Sequence, residues 1–591
     1  MPRRGALLLV PLLCAPIFLA GLARLGLNDP DEGRNAEVAR EMLATGDLVT
    51  PHINGAVYLD KPPVFFWSAA ATMAIFGAGE IGARLPSALA AVAVIGLTVW
   101  FGRRRFGDRA AVLAGVVLAL SPLFVVFGRL VIFDMLLLAF TAASTMAAYE
   151  AMEAETPRRT AAILFFVAAA LGTLTKGPVA LVVPLLVAAT WAVMSGRPAL
   201  LGRLRWGLGM PIYLAIVAPW PLLIEARHPG YLKYALLGEN LARMAANPYE
   251  TARPFHFYAK VIVPGLFPWL LLPAAQAVEA FARRLRRVPA APPAPDARAA
   301  RFVVIWLAVL CVFFSVITSK RPSYILPCAV PVALLAGRLI ARAFENERAR
   351  AVLASALVAI GVASVALAIG VWLAGAVLTS TAVADDRHAP LLEATGLFRL
   401  TAAALIAAAV ILFLVRRAPR PAVVIAAAAL PLLCLLPAAR AASRQVEAAR
   451  SSRDVSRYLA GRLGPSDKVV CYEEFRPGLG FYLRIPIEQV TRAGRIFTSN
   501  YIAAHADALR ADPASRLVSE ETLRGSLADA SFTTYVLTPH KEYGTLKEAA
   551  GSIPLRMVWE QGGFGLFVPA AAAGGAGATD APVPAGAGPG G

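Results

Sequence analysis

The densest group of residues that could do chemistry lies in segment 28–43, which reads NDPDEGRNAEVAREML. Asp29 fits a helix N-cap, Pro30 the first helical position, and Glu32 the reciprocal partner of a capping box. Capping does not require Asp31, which is therefore the better candidate for a catalytic acid or base. For Glu32, capping and catalysis both remain open.

A second group follows in segment 54–63, which reads NGAVYLDKPP and leads into an aromatic, apolar stretch. Lys61 could bind a phosphate as a point charge, and Asp60 could hold a metal ion or a hydroxyl group. The alternative is interfacial anchoring, because Lys and aromatic side chains favour the membrane–water boundary.

Three more groups carry charge at the ends of apolar segments. Asp134 begins an otherwise apolar helix, where it could be an N-cap or a functional carboxylate. Lys176 lies in a tight hairpin, TLTKGP, and could simply extend its ammonium group to the membrane surface. Lys320, Arg321 and Tyr324 share the segment TSKRPSYILP, which would suit a lipid phosphate with a sugar beside it.

Composition indicates a membrane protein. Only 16% of the 591 residues are charged, 58% are hydrophobic, and the mean hydropathy is +0.62. These values exclude a disordered chain and make a water-soluble globule improbable. The net charge of +19 comes from short basic clusters between apolar segments, so nucleic acid is not an expected partner.

Thirteen segments could span a bilayer: 6–26, 84–102, 110–128, 135–151, 160–175, 178–195, 207–225, 259–280, 302–318, 323–341, 352–378, 398–415 and 421–439.

The arginine clusters predict the orientation of these segments. Clusters such as Arg103–Arg105 and Arg416–Arg420 should be cytoplasmic, which places the N-terminus inside and the C-terminus outside. The count of crossings then makes segment 62–79 an interfacial or re-entrant helix. All eight lysines fall on the outer side of this topology. Arginines therefore mark the inner face, and candidate chemistry gathers at the outer face.

The chain divides into three predicted regions. Residues 1–440 form a transmembrane catalytic module with outer loops 28–62 and 226–257. Residues 441–569 form an outer α/β domain, since polar helical segments there separate β-branched and aromatic segments, which predict strands near 468–473, 533–538 and 556–568. The remainder, 570–591, is rich in Ala, Gly and Pro and is expected to be disordered.

Several classes of site have no support in the sequence. The five cysteines are scattered, without metal-ligand spacing, and neither a Gly-rich nucleotide loop nor a G-x-S-x-G or H-E-x-x-H motif occurs. A donor carried on a lipid phosphate fits the outer-face carboxylates and cations better than a nucleotide sugar does.

In their order along the chain, these motifs resemble those of the GT-C glycosyltransferases. The motifs are DExRxAExAREML, NGxxYxDKPP, a distal Asp, TKGP and PSYILPC, all within residues 1–345. The likeness is greatest to the bacterial branch containing the lipid A aminoarabinose transferases, which are relatives of the protein O-mannosyltransferases. It implies a polytopic α-helical fold with a periplasmic C-terminal α/β domain, in the bacterial inner membrane.

The resemblance also implies a reaction and roles for particular residues. A sugar would be transferred with inversion from a polyprenyl phosphate to an acceptor at the periplasmic face, either lipid A, another glycan or protein. Asp31 would be the base or orient the acceptor, and Asp134 would be the second essential acid. Asp60 would replace a family Glu and could hold a divalent metal. Donor-phosphate or substrate contacts are expected from Arg34, Tyr58, Lys61, Lys320, Arg321 and Tyr324.

Two other functions remain open from the sequence. A transporter or flippase of lipid-linked sugars would also be polytopic, but its ionisable residues should lie near the middle of the membrane on repeated, interrupted helices. A non-catalytic partner in envelope synthesis is the other alternative.

Overall fold

The structure is a computed structural model that describes residues 9–156, 158–235, 253–287, 295–383, 389–416, 421–492, 496–512 and 514–571. In its first part the helices are α1 (Leu9–Leu19), α2 (Asp31–Thr45), α3 (Val64–Phe76), α4 (Glu80–Phe106), α5 (Asp108–Ala119), α6 (Pro122–Phe127), α7 (Phe133–Glu153), α8 (Arg159–Lys176), α9 (Val179–Met194), α10 (Trp206–Val217), α11 (Pro219–Arg227) and α12 (Tyr231–Lys233).

Further helices follow from residue 259 onward. They are α13 (Ala259–Gly265), α14 (Leu271–Leu285), α15 (Ala297–Val316), α16 (Ala329–Arg342), α17 (Glu347–Val383), α18 (Ala389–Val415), α19 (Pro421–Arg450), α20 (Arg453–Ala460), α21 (Pro477–Leu483), α22 (Asn500–Ala504), α23 (Ala506–Ala511), α24 (Glu520–Ala528) and α25 (Tyr543–Ala550). The strands are β1 (His52–Ile53), β2 (Ala56–Val57), β3 (Lys468–Tyr472), β4 (Glu488–Val490), β5 (Thr534–Pro539), β6 (Leu555–Gln561) and β7 (Phe564–Pro569).

The apolar helices confirm the predicted class of a polytopic helical membrane protein. Within the described ranges, nine helical segments are long and apolar enough to cross a bilayer, and three shorter apolar helices accompany them. Each of the thirteen predicted spans coincides with a helix or with two consecutive helices. Two of them are interrupted before Pro122 and Pro219, because proline lacks the N–H that would continue the ladder of the preceding turn.

Two predicted segments differ in length from the observed helices. The first span was expected over 6–26, but α1 ends at Leu19. The ambiguous segment 62–79 forms α3, whose 13 residues extend about 20 Å, less than the roughly 30 Å of a hydrocarbon core. The length of α3 therefore agrees with the prediction that this segment does not span the membrane. Its location at the membrane interface remains a prediction.

The chain forms two compact units. The first, called here the membrane unit, comprises Met1–Gly21 and Leu85–Ala442. Its helices approach closely where side chains are small: a Cβ on Gly337 of α16 would lie 2.5 Å from the backbone nitrogen of Ala114 in α5. Small residues permit such contacts in membrane helices, where packing rather than water exclusion drives association.

The second unit, called here the loop–sheet unit, joins Leu22–Arg84 to the chain from Ser443 onward. Its five-stranded sheet has the order β4-β3-β5-β7-β6, with β4, β3 and β5 parallel and β7 and β6 antiparallel. Strands near 468–473, 533–538 and 556–568 had been predicted, and the last is a hairpin. The grouping differs from the predicted regions, which placed loop 28–62 with the transmembrane module.

Candidate active site

The first site residues lie at the N-terminal end of α2 in the loop–sheet unit. Arg34 donates from Nη2 to Oδ1 of Asp31 at 2.6 Å and from Nη1 to the carbonyl of Thr498 at 3.1 Å. The Asp31 side chain is 49% exposed, whereas that of Arg34 is 14% exposed. Burial alone would lower the pKa of Arg34, but Tyr58, Asp31 and Asp60 raise it above its ordinary value. The Asp31 carboxylate is thus hydrogen-bonded to Arg34 but still accessible to solvent, and the guanidinium beside it keeps its positive charge.

Asp29 does not cap α2 as the sequence predicted. The helix begins at Asp31 after Pro30, without a side-chain cap. Asp29 is buried and accepts hydrogen bonds from the Ser452 hydroxyl and from the Gly478 N–H at 2.8 Å, with Arg476 3.5 Å away. Burial raises the pKa of Asp29, and Arg476 opposes that rise. The cap prediction was wrong because the partners of Asp29 are more than 400 residues distant in sequence.

Glu32 belongs to a buried ion pair, which does not fit the predicted catalytic role. Arg84 donates from Nε to Oε1 and from Nη2 to Oε2 of Glu32, both at 2.9 Å. The backbone and side chain of Asn28 donate to Oε2 at 3.1 Å. Glu32 is only 2% exposed. The Glu32 carboxylate therefore joins Asn28 to Arg84. A substrate could reach this carboxylate only by displacing its hydrogen bonds to these two residues.

Asp60 and Lys61 follow in the same unit. The Asp60 carboxylate is buried and accepts the N–H of Asn500 at Oδ2, 2.9 Å away, and the N–H of Tyr501 at Oδ1, 2.7 Å away. Lys61 is half-buried and donates from Nζ to the Asp60 carbonyl at 2.7 Å. The described residues contain no group of three or more His, Cys, Asp or Glu arranged for a metal ion. The metal role of Asp60 therefore gains no support from this geometry.

Tyr58 is an internal member of this cluster. Its ring is almost fully buried and packs edge-on against Phe66, with 6.0 Å between ring centroids. Its hydroxyl contributes to the electrostatic environment of Arg34. Both Tyr58 and Arg34 were predicted to contact the donor phosphate or the substrate. In the structure, the buried ring of Tyr58 forms part of the base of this cluster.

The membrane unit brings three other predicted residues together. Nζ of Lys176 lies 2.5 Å from Oδ1 of Asp134 and 4.7 Å from the ring centroid of Tyr324. Both charged side chains are largely buried. Lys176 therefore lies in an ion pair and a cation–π contact, a more specific placement than an ammonium group reaching for the membrane surface.

Lys320 and Arg321 lie in the turn before Tyr324. The Lys320 side chain is buried and donates to the carbonyls of Arg253, at 3.0 Å, and Ile317. It therefore ties the turn together, and a phosphate-binding role would require these bonds to break. Arg321 is half-buried and precedes the 3-10 helix Pro322–Cys328. Most of the predicted outer loop 226–257 lies outside the described residues.

Sequence reasoning missed Asn54, which also connects the first loop to the C-terminal domain. Its side chain donates to the Ile487 carbonyl and accepts the Ile487 N–H at 2.9 Å. Asn54 and Gly55 have positive φ values of 54° and 79° and join β1 to β2. The Asn-Gly dipeptide is a strong hairpin signal that could have predicted the turn, although not its distant partner.

Comparisons with known proteins bear on this arrangement. The family model described as dolichyl-phosphate-mannose-protein mannosyltransferase matches residues 60–222. Two curated relatives are undecaprenyl phosphate-α-4-amino-4-deoxy-L-arabinose arabinosyl transferases, from Pseudomonas fluorescens and Aeromonas salmonicida. The first is 31% identical over 58% of this chain, the second 32% identical over 55%. The matches cover 60% and 58% of the lengths of these relatives.

Solved structures extend the likeness in fold. The crystal structure of ArnT from Cupriavidus metallidurans bound to undecaprenyl phosphate has a TM-score of 0.74 and 24% identity to this chain. The match covers 95% of this chain and 98% of that one. The apo structure of the same protein gives a TM-score of 0.72 with 23% identity. The chain therefore shares the fold of these solved structures, and over more than half of its length its sequence is similar to those of aminoarabinose transferases.

Proposed function

We propose that the protein is an inverting glycosyltransferase that moves a sugar from a polyprenyl phosphate to an acceptor in the cell envelope. The observation that carries this proposal is the cluster in the loop–sheet unit. It combines the accessible carboxylate of Asp31, the buried guanidinium of Arg34 and the ammonium of Lys61 next to Asp60. Asp134, with Lys176, supplies a second carboxylate in the membrane unit.

This chemistry can be assigned to the chain's own groups. An acceptor hydroxyl would attack the anomeric carbon and form the new C–O bond as the bond to the phosphate oxygen breaks. Asp31 would take the hydroxyl proton. The leaving polyprenyl phosphate gains negative charge, which Lys61 and Arg34 would stabilise without having to protonate it. We assign Asp134 as the second essential acid.

Donor, acceptor and orientation are part of the proposal. The names of the relatives supply 4-amino-4-deoxy-L-arabinose on undecaprenyl phosphate as the first donor to test. The resemblance of the sequence motifs to those of the lipid A aminoarabinose transferases makes lipid A the first acceptor to test. We place the protein in the inner membrane, with its N-terminus cytoplasmic and the C-terminal domain in the periplasm. The names of the relatives support a transferase and give no support to a flippase.

The test is transfer by Asp31→Asn. In reconstituted vesicles with undecaprenyl phosphate-aminoarabinose and lipid A, mass spectrometry should detect modified lipid A with the wild-type protein. We expect the variant to lose at least 100-fold in rate, because the amide cannot accept the proton. The matched control is Asp507→Asn, which also breaks an i,i+3 pair with an arginine, but on the exposed surface of α23. Unchanged transfer by Asp31→Asn would sink the proposal.

A further inference from the structure

The four residues Asp31, Arg34, Asp60 and Lys61 are called here the catalytic cluster. A five-residue turn of the C-terminal domain contacts this cluster at three points. This segment, residues 497–501, includes the first two residues of α22 and is called here the clasp turn. The Thr498 carbonyl accepts from Arg34, and the N–H groups of Asn500 and Tyr501 donate to the two oxygens of Asp60. All three contacts lie within the loop–sheet unit, between segments more than 400 residues apart in sequence.

The backbone of the clasp turn is strained, and its surroundings hold it in place. Phe497 and Thr498 have positive φ values of 43° and 57°, a region that residues with side chains rarely adopt. The Phe497 N–H donates to Oε1 of Gln489, 2.8 Å away in β4, and its ring lies 4.9 Å from that of Phe475. A sheet residue thus imposes the turn's conformation.

Each contact of the clasp turn holds a residue beside one that the proposed reaction uses: Asp60 precedes Lys61, and Arg34 is bonded to Asp31. A buried carboxylate is costly unless it is hydrogen-bonded, so the two N–H groups hold Asp60 firmly. Lys61 is the next residue, and its ammonium bonds back to the Asp60 carbonyl. The Arg34 guanidinium bridges the Thr498 carbonyl and Asp31, and its planar fork transmits orientation from one partner to the other.

We propose that the clasp turn is the positioning element of the catalytic cluster. It sets Lys61 through Asp60, and Asp31 through Arg34. Asp60 and Gln489 are accordingly positioning residues, and Asp60 acts through its bonds to the backbone of the C-terminal domain. This inference rests on the proposed function, since it assumes that Lys61 and Arg34 meet a lipid phosphate.

A purely structural role predicts a different result. If the contacts only stabilised the fold, their loss would reduce the fraction of folded protein without changing the affinity of the part that stays folded. A positioning role predicts that folded protein binds the lipid phosphate more weakly. The binding constant of the folded fraction therefore separates the two roles.

The experiment measures binding of undecaprenyl phosphate to the full-length protein in nanodiscs. Asp60→Asn replaces one acceptor oxygen with a donor, and Gln489→Met, a substitution in β4, removes the acceptor for the Phe497 N–H. We expect each to weaken binding at least fivefold. The control is Asp467→Asn, because Asp467 also accepts two backbone N–H groups, from Gly464 at 2.8 Å and Thr533 at 2.7 Å, both within the C-terminal domain. Its affinity should stay within twofold of wild type.

The outcomes separate this inference from the proposed function. No binding by the wild-type protein would overturn the proposed donor, and this inference with it. Wild-type binding that both variants retain would overturn the inference alone. Weakening by Asp60→Asn but not by Gln489→Met would also overturn it, because Asp60 would then act without the turn. Fivefold weakening by both, with the control unchanged, supports it.

Discussion

At the scale of residues, the buried pair Asp134–Lys176 can be tested for chemistry apart from stability. Removing one partner of a buried ion pair costs about 3–5 kcal/mol, since the other charge is left uncompensated. We therefore expect Asp134→Asn and Lys176→Met each to lower the apparent Tm. The reversed pair, Asp134→Lys with Lys176→Asp, should recover part of that loss by restoring opposite charges. Thermal denaturation monitored by size-exclusion chromatography measures this recovery.

The reversed pair should not recover sugar transfer if Asp134 is the second essential acid. Its carboxylate would then stand on α8 instead of α7, away from the substrate position that Asp134 serves. Full activity in the reversed pair, measured in the vesicle assay, would show that only the ion pair matters. Both charges would then belong to the fold alone.

Glu41 gives the loop–sheet unit a pH dependence. Burial, together with the nearby Glu37, raises the pKa of Glu41 to about 7, although the N–H groups of Asn54 and Gly55 favour its ionised form. The folded protein therefore keeps a proton that the unfolded chain releases near the ordinary glutamate pKa of 4.5. The resulting stability is present below pH 4.5 and is lost as pH rises through 7. The loss amounts to about 3 kcal/mol at most.

The measurement is the apparent Tm at pH 5 and pH 8. Glu41→Gln keeps an acceptor oxygen but cannot ionise, so the fall in Tm between these two values should become smaller. The exposed Glu521 of α24 provides the comparison, because Glu521→Gln removes a charge from the same unit without burial. An equal effect of the two substitutions would contradict the assignment to Glu41.

Local patterns predicted some residue roles, and distant contacts reversed others. Asp31 and Arg34 are three residues apart on α2, so a pair between them is available from helical spacing alone. Asp29 and Glu32 fit the local signature of a capping box equally well. Glu32 does accept the backbone N–H of nearby Asn28, but the distant partners of the two carboxylates are Ser452, Gly478 and Arg84. No periodicity or motif connects these three residues to Asp29 or Glu32.

At the scale of elements, the contact of α2 with α21 depends on the absence of a side chain at Gly33. A Cβ there would lie 2.0 Å from Oδ1 of Asp29 and 2.7 Å from the nitrogen of Gly478. Asp29 cannot yield, because it is buried and hydrogen-bonded. We expect Gly33→Ala to cost about 1–3 kcal/mol and to lower transfer, since Arg34 is the next residue. Apparent Tm and transfer rate measure the two effects.

Gly79 is the matched position for this substitution. It lies in the same unit, and a Cβ there would meet nothing within 4 Å. Gly79→Ala should change stability by no more than about 0.5 kcal/mol. If both glycines tolerated alanine equally, the close approach of α2 to α21 would not be the reason for glycine at position 33.

Elements were predictable where composition or local breaks define them. Long apolar segments predicted the membrane helices, and Pro122 and Pro219 mark two interruptions. Segments rich in β-branched and aromatic residues predicted β3 and β5. The joining of Leu22–Arg84 to the C-terminal domain could not be predicted, because it depends on individual polar contacts such as Asn54 with Ile487. Pairings of this kind leave no pattern in hydropathy.

At the scale of the whole molecule, the charge distribution makes the last prediction. The net charge of +19 is the excess of 57 basic over 38 acidic residues, and only eight of the basic residues are lysines. The arginine clusters predict that Glu345 lies on the cytoplasmic side, and the predicted topology puts Asp507 outside. Both side chains are highly exposed, with 74% for Glu345 and 101% for Asp507. A cysteine at either position should therefore react readily with any thiol reagent that reaches its side of the membrane.

A membrane-impermeant maleimide distinguishes these sides. In spheroplasts, Asp507→Cys should be labelled at once, whereas Glu345→Cys should be labelled only after the membrane is broken. The wild-type protein measures the background of its five native cysteines, which are buried or half-buried. Labelling of Glu345→Cys in sealed spheroplasts would show that the predicted topology is inverted. Asp31 and Lys61, which precede the same crossings, could then no longer be assigned to the periplasmic face, and a donor presented there would be excluded.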